Sequence, residues 1–133
     1  MLVREGMSEV VLTVGPTHTL REAATMMTEK GTGAALVSDD ERPVASIVTE
    51  RDILISLGSG EDPDVERVAE HMSDSVIAAS PEWSLERAAA EMSRRGIRHL
   101  VVYDGPELVG VLSMRDIVRV WTSEGATSGM TPD

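Results

Sequence analysis

The chain repeats itself, and this repeat constrains its fold more than any other feature. When the sequence is shifted by 65 residues, nine of the 25 positions in residues 7–31 are identical to those in residues 72–96. Further along, Arg51-Asp52-Ile53 matches Arg115-Asp116-Ile117 at a spacing of 64. A self-similar segment of about fifty residues indicates one structural unit used twice. The fold should therefore consist of two similar halves.

Each repeat predicts the order strand, helix, strand, strand, helix. The first strands fall at residues 10–14 and 76–79, and the helices that follow carry apolar residues at i, i+3, i+4 and i+7. That spacing makes one buried stripe. The stripe residues are Leu20, Ala23, Ala24 and Met27 in the first repeat and Leu85, Ala88, Ala89 and Met92 in the second. Two strands around a polar turn come next, at 34–37 and 44–48 and at 100–103 and 108–112, and a second helix closes each repeat near 50–57 and 114–121.

Local signals predict where the helices begin and end and how the repeats are joined. Thr19 and Glu22 have the spacing of a capping box, and Gly31 and Gly96 suit left-handed helix stops. Pro63 suits the first turn of a short connecting helix. That helix should run to Met72, and its apolar residues would be Val65, Val68, Ala69 and Met72.

The repeat predicts four segments along the chain. These are a first domain at 7–57, a linker with a short helix at 58–71, a second domain at 72–122 and a flexible tail at 123–133. A unit of about fifty residues is marginal for an independent core. We therefore expect the two units to pack on each other with pseudo-twofold symmetry.

Composition argues against several classes of partner and location. The formal net charge of −11 opposes nucleic-acid binding, which needs a basic surface. No apolar run approaches the roughly 20 residues of a membrane span, and the first residues lack the pattern of a signal peptide. The chain has no cysteine, which fits a reducing compartment. We expect a cytoplasmic protein that binds neither nucleic acid nor membranes.

The doubled element order and two recurring motifs resemble the pair of cystathionine-β-synthase-type (CBS) domains. One motif is the segment at residues 49–54 and again at 113–118, and the other is the Met-Ser that opens each repeat. The stretch at residues 96–102 also looks like the second strand of that family. The resemblance covers residues 7 to about 122. It implies an α/β (α+β) fold of two β-α-β-β-α repeats.

The resemblance also implies a regulatory function and a class of ligand. Proteins of this family commonly bind AMP, ADP, ATP or S-adenosylmethionine in two clefts between the paired units. The ligand would be an adenine nucleotide acting as a regulatory ligand, with no catalytic cofactor. Many such pairs form homodimers through their helices, and a separate effector protein would receive the signal.

The [Ser/Thr]-x-x-Asp segment is the candidate site that the resemblance carries over to this chain. An ionised Asp52 or Asp116 could accept both hydroxyls of a ribose. Thr49 and Ser113 precede helix starts, where free N–H groups favour an anion, and Arg51 or Arg115 could bind phosphate through its planar fork. The alternative is that each segment is only a capping box, worth about 1 kcal/mol at the cap.

The two repeats differ at the start of the second strand, which predicts unequal clefts. Arg98 and His99 stand where the first repeat has Gly33 and Ala34. The better cleft would combine Ser113, Arg115, Asp116, Arg98 and His99 with a base pocket near Thr13, Thr32, Gly33 and Ala34. The other would combine Thr49, Arg51 and Asp52 with Ile77, Ala78 and Ile97. Alternatively, Arg98 and His99 form only a solvated strand end or an internal salt bridge.

The two repeats also differ at one position in the third strand. The family often has Gly there, as at Gly110, whereas the first repeat has Ser46. A serine could narrow a close backbone approach, which disfavours the first repeat as a binding site.

Other functions find less support in the sequence. A ligand-free dimerisation or scaffold protein would keep the fold without the site, so it remains the alternative. An enzyme needs a nucleophile–base pair or a metal cluster, and neither is found. His18, His71 and His99 are far apart and lack the spacing of metal ligands, so no metal site is predicted.

Overall fold

The computed structural model describes residues 1–9, 11–38 and 46–123. Several predicted features lie outside these residues. They are Val10 of the first strand, the turn at 39–43, the first two residues of the predicted strand at 44–48, and the tail at 124–133. No helix in the described part of the chain is both long enough and apolar enough to cross a membrane. The cytoplasmic location stays a prediction.

The described elements follow the predicted doubled order. In chain order they are α1 (Val3–Gly6), β1 (Thr13–Val14), α2 (Leu20–Lys30), β2 (Ala34–Val37), β3 (Ser46–Thr49), α3 (Glu50–Gly58), a 3₁₀ helix (Val68–Glu70), β4 (Ala78–Ala79), α4 (Leu85–Arg95), β5 (His99–Asp104), β6 (Glu107–Ser113) and α5 (Met114–Ser123). The mixed α/β class and the β-α-β-β-α repeat are therefore confirmed.

The chain divides into two compact units. The N-terminal unit is residues Val11–Val76, and the C-terminal unit combines Met1–Val10 with Ile77–Asp133. Each contains a three-stranded sheet, in the orders β1-β2-β3 and β4-β5-β6. The first pair of each sheet is parallel and the second antiparallel. The predicted boundaries at 7–57, 58–71, 72–122 and 123–133 and the packing of the units on each other stay predictions.

The first strands are shorter than the apolar runs that predicted them. Only Thr13 and Val14 pair with β2, and only Ala78 and Ala79 pair with β5. Apolar composition marks residues that can be buried, but a parallel ladder exists only where a neighbouring strand lies alongside. The predicted lengths of 10–14 and 76–79 are thus wrong within the described residues.

The predicted helix stripes form the cores of their units. Leu20, Ala23 and Met27 are at most 4% exposed, and Leu85, Ala88 and Met92 are at most 6% exposed. Gly31 and Gly96 end α2 and α4 with φ of 68° and 66°, in the left-handed region, where glycine adopts the conformation without a Cβ penalty. The capping box of Thr19 and Glu22 is present. These predictions are confirmed.

The predicted connecting helix is wrong in extent. Only Val68–Glu70 is helical, as a single 3₁₀ turn, and Val65, predicted to be apolar and inward, is 63% exposed. The N–H groups of Val68 and Ala69 donate to the carbonyl oxygens of His18 and Pro16. Because these donors bind the loop before α2, they do not build an α-helix.

Each sheet is extended by a segment from a distant part of the sequence. Ser8 forms an antiparallel bridge with Val111 of β6, and Ser73 forms one with Ile47 of β3. Val3 of α1 is fully buried in the core of the C-terminal unit. The two Met-Ser segments therefore have equivalent places, each beside the third strand of its unit.

Candidate functional site

Thr49 is the last residue of β3 and the N-cap residue of α3, where it forms hydrogen bonds with Asp52. Oδ2 of Asp52 accepts from the backbone N–H of Thr49 at 2.8 Å and from its hydroxyl at 3.0 Å. In return, the N–H of Asp52 donates to Oγ1 of Thr49 at 3.3 Å. The two side chains thus form a reciprocal cap on the first turn of α3.

The end of β6 places Ser113 and Asp116 in the same arrangement at the start of α5. The N–H of Ser113 donates to Oδ2 of Asp116 at 2.9 Å, and the N–H of Asp116 donates to Oγ of Ser113 at 3.0 Å. The Asp116 side chain is 21% exposed. Arg119 adds a neighbour that the first repeat lacks, because its guanidinium lies 3.3 Å from Oδ1 of Asp116 and 3.3 Å from the carbonyl oxygen of Gly6.

Both segments therefore form helix caps, as the alternative interpretation predicted. The caps nevertheless leave hydrogen-bond acceptor positions open on each carboxylate. An ionised carboxylate offers about four acceptor positions. Among the described residues, no donor is recorded for Oδ1 of Asp52, and Oδ1 of Asp116 accepts only the long contact from Arg119. Both aspartates are half-buried, so they retain acceptor capacity toward solvent or a ligand.

In both units the start of the second strand lies beside this pair. Ala34 pairs with Thr49, and His99 pairs with Ser113. The N–H of Glu50 donates to the carbonyl oxygen of Gly33 at 2.9 Å. The equivalent N–H of Met114 donates to the carbonyl oxygen of Arg98, also at 2.9 Å. Within each unit, the structure thus brings together these predicted residues.

The charged residue at the start of the second strand differs between the two units: the carboxylate of Glu50 lies there in the first repeat, and Arg98 stands there in the second. A Cβ at Gly33 would lie 3.0–3.1 Å from the carboxyl atoms of Glu50, so that carboxylate lies against Gly33. In the second repeat, Arg98 and Met114 occupy the two equivalent positions. The comparison of Arg98 with Gly33 was made from sequence. The acid was missed because no spacing rule connects residues 33 and 50.

The other predicted residues vary in exposure and in side-chain contacts. Arg51, Arg115, Arg98, Thr13 and Ala78 are exposed, whereas Ala34 is buried. The Thr32 hydroxyl donates to the carbonyl oxygen of Ala34 at 3.2 Å. Ile77 and Ile97 are half-buried and pack against the core of the C-terminal unit. Their roles, and the combination of residues from both units that the predicted clefts require, stay predictions.

The glycine in the third strand has a structural reason. A Cβ at Gly110 would lie 2.7 Å from the carbonyl oxygen of Ser8 and 3.1 Å from Sδ of Met7. The close approach foreseen at Gly110 is therefore made by the chain's own N-terminal segment. At the equivalent position of the N-terminal unit, the Ser46 hydroxyl instead donates to the carboxylate of Asp74.

A family model of the CBS domain matches residues 3–59 and, a second time, residues 65–123. The chain belongs to the CBS-domain family. The resemblance seen in the sequence is thereby confirmed over nearly all of its length.

Relatives of known sequence include both longer proteins and proteins of similar size. A protein of Methanopyrus kandleri is 35% identical over 112 residues, and the aligned region covers 83% of this chain but only 57% of the relative. The CBS domain-containing protein YhcV of Bacillus subtilis is 33% identical over 131 residues, with 97% of this chain and 92% of YhcV covered. The aligned region thus spans nearly all of YhcV but only about half of the Methanopyrus kandleri relative.

Solved structures of CBS proteins match this chain over most of its length. A protein with CBS domains from Burkholderia ambifaria matches with a TM-score of 0.83 and 31% identity, over 92% of each chain. A CBS domain protein of Pyrobaculum aerophilum, solved in complex with AMP, matches with a TM-score of 0.76 and 30% identity, over 92% of this chain and 99% of that one.

Proposed function

We propose that this CBS pair is a regulatory module that binds an adenosine-containing ligand (AMP, ADP, ATP or S-adenosylmethionine) and does not convert it chemically. The observation that carries the proposal is the duplicated hydroxyl–carboxylate pair at the starts of α3 and α5, whose carboxylates retain acceptor capacity. The AMP complex of the Pyrobaculum aerophilum relative supports the choice of ligand class.

The C-terminal unit offers the better chemistry for a nucleotide. Asp116 would accept the ribose hydroxyls through the acceptor positions that the cap leaves open. The phosphate would lie near Ser113 and the first turn of α5, where helix N–H groups favour an anion. Arg98 is exposed, and its carbonyl oxygen is hydrogen-bonded to the first residue of α5. We propose that its guanidinium supplies the positive charge that a phosphate needs.

The N-terminal unit offers the same pair in a less favourable electrostatic setting. Glu50, which lies against Gly33, adds a negative charge that the other repeat lacks, because Met114 stands at the equivalent position. Gly33 itself stands where the other repeat has Arg98. A phosphate near Thr49 would be repelled by that carboxylate. We therefore propose that Asp116 contributes more than Asp52 to the binding of a nucleotide.

A sensor must pass its state to something else, and we propose that this occurs through self-association and a separate effector protein. Helices α3 and α5 carry large apolar side chains that are exposed in the chain. They are Leu54, Ile55 and Leu57 on α3, and Val118 and Trp121 on α5, each 47% to 68% exposed. Ligand binding would shift such an assembly only if its states differ in affinity for the ligand.

A ligand panel tests this proposal. The purified protein would be titrated calorimetrically with AMP, ATP, S-adenosylmethionine and NAD, and its melting temperature would be followed in parallel. A ligand at about 100 times its dissociation constant stabilises the native state by about 2.7 kcal/mol. Heat and a raised melting temperature with at least one adenosine compound would support the proposal. Absence of both with every compound, at millimolar ligand, would refute it.

The second candidate function is a ligand-free dimerisation scaffold. It is favoured by the fact that both aspartates already serve as helix caps and that Asp116 also contacts Arg119. This candidate predicts a dimer or larger assembly by sedimentation, unchanged by any ligand of the panel. A ligand-dependent change in assembly would exclude it.

A further inference from the structure

Three side chains of the N-terminal unit that do not belong to the proposed nucleotide site converge with one another. Glu61, Glu66 and His71 each place one potential metal-ligand atom within 4.8 Å of the others. The sequence predicted no metal site because His18, His71 and His99 are far apart. That reasoning considered histidines alone, and spacings of five residues match no familiar ligand pattern.

The chain holds these three groups in place. Nε2 of His71 lies 2.8 Å from Oε1 of Glu66, and their side chains are only 17% and 20% exposed. The hydroxyl of Ser56, itself 2% exposed, donates to Oε1 of Glu61 at 2.8 Å. The N–H of Leu20 donates to the carbonyl oxygen of Glu66 at 3.0 Å. Ser56 therefore orients the carboxylate of Glu61, Leu20 fixes the backbone of Glu66, and Glu66 and His71 orient each other's side chains.

We propose that Glu61, Glu66 and His71 bind a zinc ion. One imidazole nitrogen and two carboxylate oxygens are ligands that zinc accepts, with water completing the tetrahedron. Mg²⁺ and Ca²⁺ prefer all-oxygen sites, so the nitrogen disfavours them. The two carboxylates also balance the charge of a divalent cation.

The required movement is small. Ligand atoms lie about 2.0–2.2 Å from zinc, which separates neighbouring ligands of a tetrahedron by about 3.4 Å. The three ligand atoms already lie within 4.8 Å of one another, so each pair of them has to approach by at most about 1.4 Å to reach that spacing. Zinc would take the place of the contact between His71 and Glu66, since Nε2 would then bind the metal. Oε2 of Glu61 can bind while Oε1 keeps the hydrogen bond from Ser56.

The ion would stiffen the connection that leaves α3. Arg67 lies between two of the ligands and bridges to Thr19, the residue that caps α2. Zinc would thus fix residues 61–71 against the start of α2. The site rests on contacts within the N-terminal unit and shares no residue with the Thr49–Asp52 and Ser113–Asp116 pairs.

The test uses the full chain, freed of metal with a chelator and titrated calorimetrically with zinc chloride. We expect about one zinc ion per chain and, with Co²⁺ as substitute, visible absorption typical of tetrahedral cobalt. Glu66→Gln and His71→Gln should each weaken zinc binding by about 100-fold or more, and Ser56→Ala by about 10-fold, as for residues that orient a ligand. Glu29→Gln, an exposed acid on α2, is the charge-matched control and should bind as the wild type does.

The possible results of this titration either support the proposed zinc site or overturn it. Loss of binding in Glu66→Gln and His71→Gln, with circular dichroism unchanged and Glu29→Gln unaffected, would support the site. If the wild type took up no zinc at 0.1 mM, a concentration of the order at which weak metal sites fill, the proposal would be overturned. Equal binding by all four variants and the wild type would overturn it as well, because the zinc would then lie elsewhere.

Discussion

The two repeats keep the same backbone around their hydroxyl–carboxylate pairs but differ in the charges beside them. Both strand ends pair in the same register, and both aspartates cap their helices. Yet the first repeat has Gly33, Glu50 and Ile55 where the second has Arg98, Met114 and Arg119. The comparison teaches that the hydroxyl–carboxylate pair and its backbone are the same in both repeats, while the charged residues beside the pair differ.

A second difference lies in how each sheet accommodates its added segment. In the C-terminal unit, Gly110 leaves room for the backbone of Ser8. In the N-terminal unit, Ser46 makes a hydrogen bond to Asp74. At this position the second repeat has no room for a side chain, whereas the first repeat has a serine that makes a hydrogen bond.

The largest effect should follow from filling the space at Gly110. Gly110→Ala places a methyl group against the Ser8 carbonyl, and we expect the free energy of unfolding to fall by about 2 kcal/mol, as for overpacked sites. Ser46→Ala removes a hydrogen bond and should lower it by about 1 kcal/mol. Urea denaturation measures both.

Gly58→Ala is the control for this pair, because a Cβ at Gly58 meets nothing within 4 Å and alanine favours a helix. If Gly110→Ala were as stable as Gly58→Ala, the N-terminal segment would not lie against β6 as described.

The charge difference between the repeats should appear in nucleotide affinity. Arg98→Ala removes the arginine that stands where the first repeat has Gly33, so AMP binding should weaken about tenfold, the value of one charge-assisted hydrogen bond. Adenosine, which lacks the phosphate, should bind unchanged. Arg94→Ala on α4 serves as the control, and titration calorimetry measures all three proteins. Equal weakening of AMP and adenosine would show that Arg98 does not act on the phosphate.

The smallest effect concerns the caps of α2 and α4, which also differ between the repeats. Hydrogen bonds from the backbone N–H and hydroxyl of Thr19, aided by nearby Arg67, hold the pKa of Glu22 below its usual value. The ionised Glu22 side chain therefore stabilises the native state at pH values above the ordinary glutamate pKa. This stabilisation is lost as the pH falls through the lowered pKa of Glu22. The equivalent residue in α4 is Arg87.

Glu22→Gln keeps the cap geometry but cannot titrate. The melting temperature of the wild type should therefore fall slightly more on acidification than that of the variant. Identical acid profiles for the two proteins would contradict the assigned role of Glu22.

Much of the fold could be predicted because its signals are local. Leu20, Ala23 and Met27 lie within two turns of one helix, and Gly31 ends that helix in the conformation that glycine favours. The Thr49–Asp52 and Ser113–Asp116 pairs are equally local, since each lies at one helix start. The sequence repeat, at spacings of 65 and 64 residues, then predicted the order of helices and strands in both halves of the chain.

The rest could not be predicted because it depends on contacts between distant residues. Nothing local indicates that Ser8 lies beside Val111, or that the connection after α3 returns to the loop before α2. No local signal indicates that the carboxylate of Glu50 lies beside Gly33 either. The convergence of Glu61, Glu66 and His71 arises from an irregular backbone path that no helix or strand period describes.

The most direct test of the account is calorimetric titration of AMP into the wild type, Asp116→Ala, Asp52→Ala and, as control, Asp104→Ala at the exposed end of β5. Circular dichroism and melting temperatures would establish that all four are folded. We predict that Asp116→Ala weakens AMP binding at least tenfold more than Asp52→Ala, by about 1.4 kcal/mol, with the control unchanged. Equal losses in the two variants would contradict the inequality of the repeats, and no loss in either would contradict the role of these aspartates in binding AMP.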